Sequence, residues 1–148
     1  MSQQIHKEHN VSVLLYHLVC PTKYRRVVIT GEVDKELKEV CKEIGLRFEI
    51  AFLEIGADKD HIHFLLQTVP VRSPSEIARI IKSLTGREIF KRVPSVKKNF
   101  WGGEFWSDGY YICTVGRHSY EDEIRRYVAS QGRTKEYVRI YAEQLRLL

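Results

Sequence analysis

The sequence predicts an α+β domain built on a ferredoxin-like (split βαβ) antiparallel sheet. Three observations support this fold class: a nearly continuous apolar run over residues 11–20, a strand-like alternation over 61–68, and a well-marked helix start at Ser73. With the segments between them, they give the order β-α-β-β-α-β followed by two helices. In such a sheet the first and third strands are central, and the first two helices cover one face.

The first half of the chain alternates between strand and helix patterns. The run 11–20 is rich in apolar and β-branched residues and predicts a buried central strand, which Pro21 closes. Apolar residues then recur at helical spacing over residues 33–44, and Gly45 predicts the end of that helix. Residues 46–55, rich in Phe and Ile, predict the second strand.

The second half begins with the third strand, 61–68, and a helix whose start has a clear signature. Ser73 is a good N-cap, Pro74 suits the first helical position, and Glu76 completes a capping box. The remaining segments predict a glycine- and aromatic-rich connection over 94–108, a fourth strand over 110–116, a helix over 119–131 and a final helix over 134–148. We therefore expect a single domain over 1–148, with a core at 10–118 and two C-terminal helices in 119–148.

Composition excludes several classes of protein. The 148 residues are 43% hydrophobic and 29% charged, which is typical of a globular domain and not of a disordered chain. No apolar run approaches the roughly 20 residues of a membrane helix, and no signal segment is visible, so we expect a cytoplasmic protein without membrane contact. Three widely spaced cysteines predict neither a zinc site nor a disulfide framework.

Two histidines stand at the start of the third strand. Side chains two apart share one face of a strand, so His61 and His63 are expected to point together, with Ile62 and Phe64 turned toward the core. Two imidazoles about 7 Å apart along a strand can bind one divalent cation. Two ordinary strand histidines would give the same pattern, so the pair alone leaves both interpretations open.

Positive charge is concentrated in one segment. The formal net charge is +5, and residues 72–99 hold eight Lys or Arg against two Glu. The basic residues are Arg72, Arg79, Lys82, Arg87, Lys91, Arg92, Lys97 and Lys98. Such a cluster is typical of a phosphate-binding surface, and a solvated helix face explains it equally well.

The helix predicted over 119–131 places Tyr127 and Gln131 four residues apart, and therefore on one face. A phenol can attack a phosphodiester and retain the product covalently when a cation assists it. A carboxamide oxygen is a suitable ligand for magnesium or manganese. Packing of Tyr127 as a core aromatic is the alternative that the helix pattern leaves open.

Four motifs together resemble the small single-stranded-DNA transposases of the insertion-sequence 200/605 family, which are HUH (histidine-hydrophobic-histidine) endonucleases with one catalytic tyrosine. The motifs are YHLVCPTKYRR at 16–26, DKDHIHFLL at 58–66, FWSDGYY at 105–111 and RYVASQ at 126–131. The resemblance covers nearly the whole chain, and the four motifs stand in the expected order and spacing. The resemblance implies the HUH endonuclease fold, an antiparallel sheet with two helices on one face and a C-terminal tyrosine helix.

The resemblance also implies a role for each site residue. Tyr127 is the nucleophile, which leaves a 5′-phosphotyrosine and a free 3′-hydroxyl, and His61, His63 and Gln131 bind Mg²⁺ or Mn²⁺. The implied partners are hairpins of single-stranded DNA at the ends of the element. The family acts as a homodimer in which the tyrosine helix of one subunit can complete the site of the other. Candidate DNA contacts are Arg25, Arg26, Arg79, Lys82 and Arg87.

Two other functions are compatible with the sequence. One is a domesticated relative, a palindrome-processing tyrosine nuclease that has lost mobility and keeps the same catalytic residues. The other is a non-catalytic RNA-recognition-like binding module. Such a module stacks bases on aromatic side chains of the exposed sheet face, where this chain has His61 and His63 instead.

Overall fold

The structure, a computed structural model, describes residues 4–100 and 102–116 together with the backbone of residues 136–138. Its strands and helices in chain order are β1 (Ile5–Lys7), β2 (Asn10–Ser12), β3 (Leu14–Pro21), α1 (Gly31–Phe48), β4 (Ala51–Ala57), β5 (His61–Thr68), α2 (Pro74–Arg92), β6 (Tyr111–Val115) and β7 (Glu136–Val138). Between Pro21 and α1, and again after α2, lie short 3-10 turns at Lys23–Arg25 and Pro94–Asn99. No helix in the described part of the chain is long and apolar enough to cross a membrane.

The main sheet has five strands in the order β6-β3-β5-β4-β7, and every neighbouring pair is antiparallel. The predicted first and third strands, β3 and β5, lie inside the sheet and pair over their whole length, from Leu14 opposite Thr68 to Pro21 opposite His61. β1 and β2 form a separate two-stranded hairpin. The predicted α+β antiparallel fold is therefore confirmed.

The two faces of the sheet carry different side chains. Ile62, Phe64 and Leu66 of β5 are buried in the main core with apolar residues of α1 and α2. The alternate residues of β5 point to the opposite face because successive side chains of a strand alternate. There Leu65 belongs to a second, smaller cluster of buried residues that includes Leu15 and Leu53. The predicted orientation of the third strand is therefore confirmed.

Local signals predicted one helix end and missed another. Ser73 caps α2 as expected, since its hydroxyl oxygen accepts a 3.1 Å hydrogen bond from the backbone N–H of Glu76. Gly45 does not end α1, which continues to Phe48 and ends at Glu49 in a left-handed conformation (φ 56°). Gly45 is buried and Phe48 packs against the core, so packing outweighs the roughly 1 kcal/mol that a helical glycine costs. The second strand consequently begins at Ala51 and not at residue 46.

Two further boundaries differ from the prediction. The run 11–20 is not one strand, because β2 ends at Ser12 and pairs back with β1 before β3 begins at Leu14. The helix predicted over 134–148 is wrong at residues 136–138, whose backbone pairs with β4 as strand β7. Pairing there supplies hydrogen-bond partners along an edge of β4, a long-range gain that helical periodicity does not report. The rest of that predicted helix, and the helix predicted over 119–131, lie outside the described residues.

The aromatic connection after α2 serves mainly to pack against the core. Phe100, Phe105 and Trp106 are buried in the main cluster. The indole N–H of Trp106 donates to the Thr85 hydroxyl at 2.8 Å, so its polar atom is satisfied inside the protein. Phe105 and Trp106 are therefore not available to stack on nucleic-acid bases, whereas Trp101 lies outside the described residues.

Candidate active site

The turn between β4 and β5 fixes the start of the histidine strand. The backbone N–H of Asp58 donates to the carbonyl of His61 at 2.9 Å, and the Asp58 carboxylate accepts from the N–H of Lys59 at 2.8 Å. The segment after β3 is bonded to this turn, since Thr22 and Val28 donate backbone N–H groups to the carbonyls of Asp60 and Lys59 at 2.9 and 3.0 Å. The turn is therefore held from two sides.

His61 and His63 lie side by side on one face of β5. Their ring centres are 4.8 Å apart with an angle of 73° between the ring planes. The His61 side chain is 15% exposed, whereas His63 is almost fully buried at 4%. The pair therefore presents one imidazole at the surface and one beneath it, which is an arrangement that two ligands of a single ion can adopt.

Asp60 and Arg25 hold His61 in position. The Nδ1 atom of His61 lies 2.7 Å from Oδ1 of Asp60, and Arg25 Nε donates to Oδ2 of the same carboxylate at 3.1 Å. Burial raises the pKa of Asp60, but hydrogen bonds from Arg25 and His61 together hold it below its ordinary value. The carboxylate therefore stays charged, and it directs the other ring nitrogen, Nε2 of His61, away from itself.

A third histidine, His17, holds His63. It lies on β3, where it is 1% exposed, and its Nε2 is 3.3 Å from Nδ1 of His63. Burial lowers the pKa of His17. Sequence patterns did not single out His17, although a histidine inside a nearly continuous apolar strand was a signal that could have identified it.

The buried histidine is neutral at physiological pH. Burial, together with the nearby His61 and His17 rings, lowers the pKa of His63 to about 3. A neutral imidazole is the form that binds metals, so the donor set fits a divalent cation. Within residues 4–100 and 102–116, however, no group of three or more His, Cys, Asp or Glu side chains is arranged to hold an ion. The described residues thus supply the two histidines, and a further ligand must be sought elsewhere.

The ferredoxin-like analogy predicted that the sheet face with His61 and His63 would be open, but this face is not open along its whole length. His17, Leu65 and Gln67 are all buried on this face. The exposed residues lie near the sheet's edge, where Tyr111 of β6 is 58% exposed and its ring centre is 6.2 Å from that of His17. The smaller apolar cluster explains why part of this face is buried and not open. Burial of Leu15, Leu53 and Leu65 is favourable because it removes apolar surface from water.

The predicted DNA-contacting cations fall into two places. Arg25 and Arg26 follow β3, and Arg25 reaches the histidine turn through Asp60. Arg79, Lys82 and Arg87 lie on α2, which packs on the opposite face of the sheet from the histidines. The structure therefore does not bring these α2 residues to the histidine pair.

The α2 cations line an open groove of about 730 Å³ between α2 and residues 103–110. Lys91 and Lys97 add to its positive rim, and Phe90 and Tyr110 contribute aromatic surface. The ammonium of Lys82 donates to the carbonyl of Asp108 at 2.9 Å and lies over the Tyr110 ring. Lys82 thus helps to position one wall of the groove, whereas Arg79 and Arg87 are exposed.

Tyr127 and Gln131, the predicted nucleophile and third metal ligand, lie outside the described residues. Comparison with known proteins bears on the chain that contains them. Residues 10–131 match the family described as "Transposase IS200 like". The chain belongs to this transposase family. The resemblance that the sequence motifs indicated is thereby confirmed.

Relatives and solved structures agree with this assignment. The ISDra2 transposase TnpA of Deinococcus radiodurans is 31% identical over 118 residues, which cover 80% of this chain and 84% of that protein. The transposase for insertion sequence element IS200 of Salmonella typhimurium is 29% identical over 116 residues, covering 78% and 75%. A crystal structure of a candidate transposase from D. radiodurans R1 superposes with a TM-score of 0.70 at 28% identity, covering 86% of this chain and 98% of that chain.

A further solved structure shares the fold alone. It is a REP-associated tyrosine transposase bound to a REP hairpin, with a TM-score of 0.55 and 12% identity, covering 86% of this chain and 68% of that chain. The fold of this chain is thus shared with a protein of low sequence similarity. Among the described residues of this chain, the His61–His63 pair at the start of β5 is the group best suited to catalysis.

Proposed function

We propose that the chain cuts and rejoins single-stranded DNA at the ends of an insertion sequence through a covalent bond to Tyr127. The observation that carries this proposal is the oriented histidine pair, His61 and His63, on an internal strand of the sheet. Membership of a transposase family supports the reaction class. The match to that family extends through residue 131 and so includes the segment that bears Tyr127.

The proposed reaction is a transesterification. The Tyr127 phenol oxygen attacks a DNA phosphorus, the bond from that phosphorus to the 3′ oxygen breaks, and the phenol proton is balanced by the proton that the departing 3′-hydroxyl gains. The 5′-phosphate remains on Tyr127. Attack by another 3′-hydroxyl reverses the step and releases Tyr127, so no nucleotide cofactor is consumed.

His61, His63 and Gln131 would hold the divalent cation. When bound, the cation supplies positive charge that polarises the phosphate and favours ionisation of the phenol, whose ordinary pKa is about 10. Imidazoles alone suit several transition metals, whereas a carboxamide oxygen and a phosphate substrate favour Mg²⁺ or Mn²⁺. Asp60 and His17 contact the Nδ1 atoms of the two histidines, so each ring would bind the ion through Nε2.

The proposed substrate is a hairpin formed by one DNA strand. A solved structure with the same fold is that of a transposase bound to a REP hairpin, which supports this class of ligand. Arg79 and Arg87 in the α2 groove are exposed cations that suit the phosphates of a hairpin stem. Lys82 would contribute from one wall of this groove. Arg25 and Arg26 would contact DNA elsewhere, from the segment after β3 beside the histidine pair. We further propose a homodimer in which the tyrosine segment of one subunit completes the site of the other.

A domesticated palindrome-processing nuclease would use the same residues. The solved REP-associated structure is 12% identical to this chain, whereas the ISDra2 transposase is 31% identical, so similarity favours the mobile-element function. Short palindromes that flank the gene at both ends would support an element, and their absence would support domestication. An RNA-recognition-like module would carry stacking aromatics on the exposed face of β5. This chain has His61 and His63 there instead, which argues against that alternative.

The experiment that tests this function is a covalent-adduct assay. The chain is incubated with labelled single strands of the DNA that flanks its coding region, in Mg²⁺ or Mn²⁺, and the products are separated under denaturing conditions. We expect a protein–DNA adduct that disappears in chelator and in His63→Ala. The matched control is His9→Ala, because the His9 side chain is 86% exposed and lies in the turn between β1 and β2. Full cleavage in chelator, or in His63→Ala, would contradict the metal role.

A further inference from the structure

The contact between His17 and His63 has the geometry of a hydrogen bond and not of ring stacking. The ring planes differ by 12° and the ring centres are 5.5 Å apart, while the two facing nitrogens are 3.3 Å apart. The nitrogen–nitrogen distance is shorter than the centre distance by about two ring radii. The nitrogens therefore lie near the line that joins the ring centres, and the two nearly coplanar rings meet edge to edge.

An edge-to-edge contact aligns one ring's N–H with the other ring's lone pair, because both lie in the plane of the imidazole. A packing contact between the rings does not require this alignment. The strand register brings it about, since His17 stands opposite Leu65 on β5 and is thus a diagonal neighbour of His63. Both side chains are buried, so water does not compete for the bond.

We propose that His17 is a positioning residue that accepts the Nδ1–H of His63 and so fixes the tautomer in which His63 presents its Nε2 lone pair to the cation. This inference rests on the proposed metal site. It assigns His63 the same arrangement that Asp60 gives His61, with a neutral imidazole in place of a carboxylate as the acceptor.

The direction of the shared hydrogen decides whether His63 can bind a metal. If His17 donates, Nδ1 of His63 is the acceptor, and a neutral His63 then carries its hydrogen on Nε2, where it blocks coordination. If His17 accepts, the hydrogen stays on Nδ1 of His63 and Nε2 is the coordinating atom. A leucine at position 17 would preserve an apolar core but could not hold the hydrogen in the second arrangement.

The first test measures Mn²⁺ binding by the metal-free protein without DNA. Binding is followed as a decrease in the electron paramagnetic resonance signal of free Mn²⁺. We expect His17→Leu to bind Mn²⁺ about 10- to 100-fold more weakly than wild type. His17→Gln should recover most of the affinity, because its side-chain carbonyl can accept the same hydrogen. Leu15→Ala is the matched control, since Leu15 is buried on the same face but pairs with Gln67 and not with the histidine end of β5; it should lose stability but not affinity.

The outcomes separate the inference from the function on which it rests. Unchanged Mn²⁺ affinity in His17→Leu, with a clear loss in His63→Ala, would overturn the role of His17 alone. Equal affinity in wild type and His63→Ala would overturn the metal site and this inference with it. Equal losses in His17→Leu and His17→Gln would reduce His17 to a packing residue.

A second measurement needs no substitution and so holds even if His17→Leu fails to fold. Nitrogen-15 spectra of the imidazole rings in metal-free wild type distinguish protonated from unprotonated ring nitrogens. We expect His63 to carry its hydrogen on Nδ1. A hydrogen on Nε2 of His63 would overturn the proposal directly.

Discussion

The Nδ1 atom of His61 lies 2.7 Å from the Asp60 carboxylate, its immediate neighbour in the chain. Adjacent residues of a regular strand point to opposite faces, so this contact depends on Asp60 standing in the turn before β5 begins at His61. Asp60 is in turn held by Arg25, from a different segment of the chain. The orientation of the more exposed histidine is therefore fixed by residues that never touch the proposed ion.

The Asp60 contact predicts an indirect effect on metal binding. Asp60→Ala should weaken Mn²⁺ affinity about 10- to 100-fold, because His61 loses the acceptor that orients its ring. Asp60→Asn is the matched comparison, since its side-chain carbonyl can still accept from Nδ1 of His61 and should recover most of the affinity. Titration of the metal-free proteins with Mn²⁺ measures the difference. Equal losses of Mn²⁺ affinity in Asp60→Ala and Asp60→Asn would show that the His61 contact is not responsible.

The α2 groove predicts a salt-dependent loss of hairpin binding. Replacing both Arg79 and Arg87 by Ala should weaken binding of hairpin DNA and reduce the slope of log affinity against log salt by about 2, one for each phosphate contact. The control removes two exposed cations from α1, with Lys35→Ala and Lys42→Ala. Binding measured at several salt concentrations gives the slope. The same reduction in the α1 variant would mean that net charge, and not the groove, is responsible.

The distribution of charge predicts a preference for one DNA strand. The net charge is only +5, and the excess of positive charge lies in residues 72–99. This charge is too small and too localised to favour binding along long duplex DNA. An element end supplied as a single strand should therefore be cleaved, while the same sequence in a full duplex should not. Denaturing gels of both substrates, labelled on the same strand, measure this. Comparable cleavage of the two would argue against a hairpin substrate.

The proposed shared site predicts complementation between inactive chains. Gly132 follows the predicted tyrosine helix and suits a pivot that lets Tyr127 reach a partner. Mixing His63→Ala with Tyr127→Phe should restore cleavage, because the hybrid dimer contains one site with intact histidines and an intact tyrosine. The adduct should appear on the His63→Ala chain. If subunits exchange and cleavage stays absent, the site is formed within one chain.

Local patterns predicted those features that depend on neighbouring residues. The two-residue period of 61–68 predicted which side chains of β5 face the helices, and the Ser73 capping box predicted where α2 begins. Both follow from backbone geometry over a few residues. The histidine pair is of the same kind, since His61 and His63 share a face wherever the strand lies in the sheet.

Features that depend on distant residues were not predictable in this way. His17 meets His63 only because β3 and β5 pair in one particular register. Residues 136–138 have a helical pattern, yet they pair with β4. Gly45 predicts a helix end, but α1 continues past it to Phe48, which packs against the core. In each case a long-range contact overrides a local preference, and one sequence carries little direct information about such contacts.

The proposed reaction depends most directly on Tyr127, its nucleophile. Tyr127→Phe removes only the phenol oxygen, so it should bind hairpin DNA as wild type does and form no covalent adduct. Tyr111→Phe is the matched control, because Tyr111 is an exposed tyrosine on the histidine face. This variant should still form the covalent adduct. Mass spectrometry of the digested wild-type adduct should place the nucleotide on Tyr127. A nucleotide on Tyr111, or an undiminished adduct in Tyr127→Phe, would contradict the proposed mechanism.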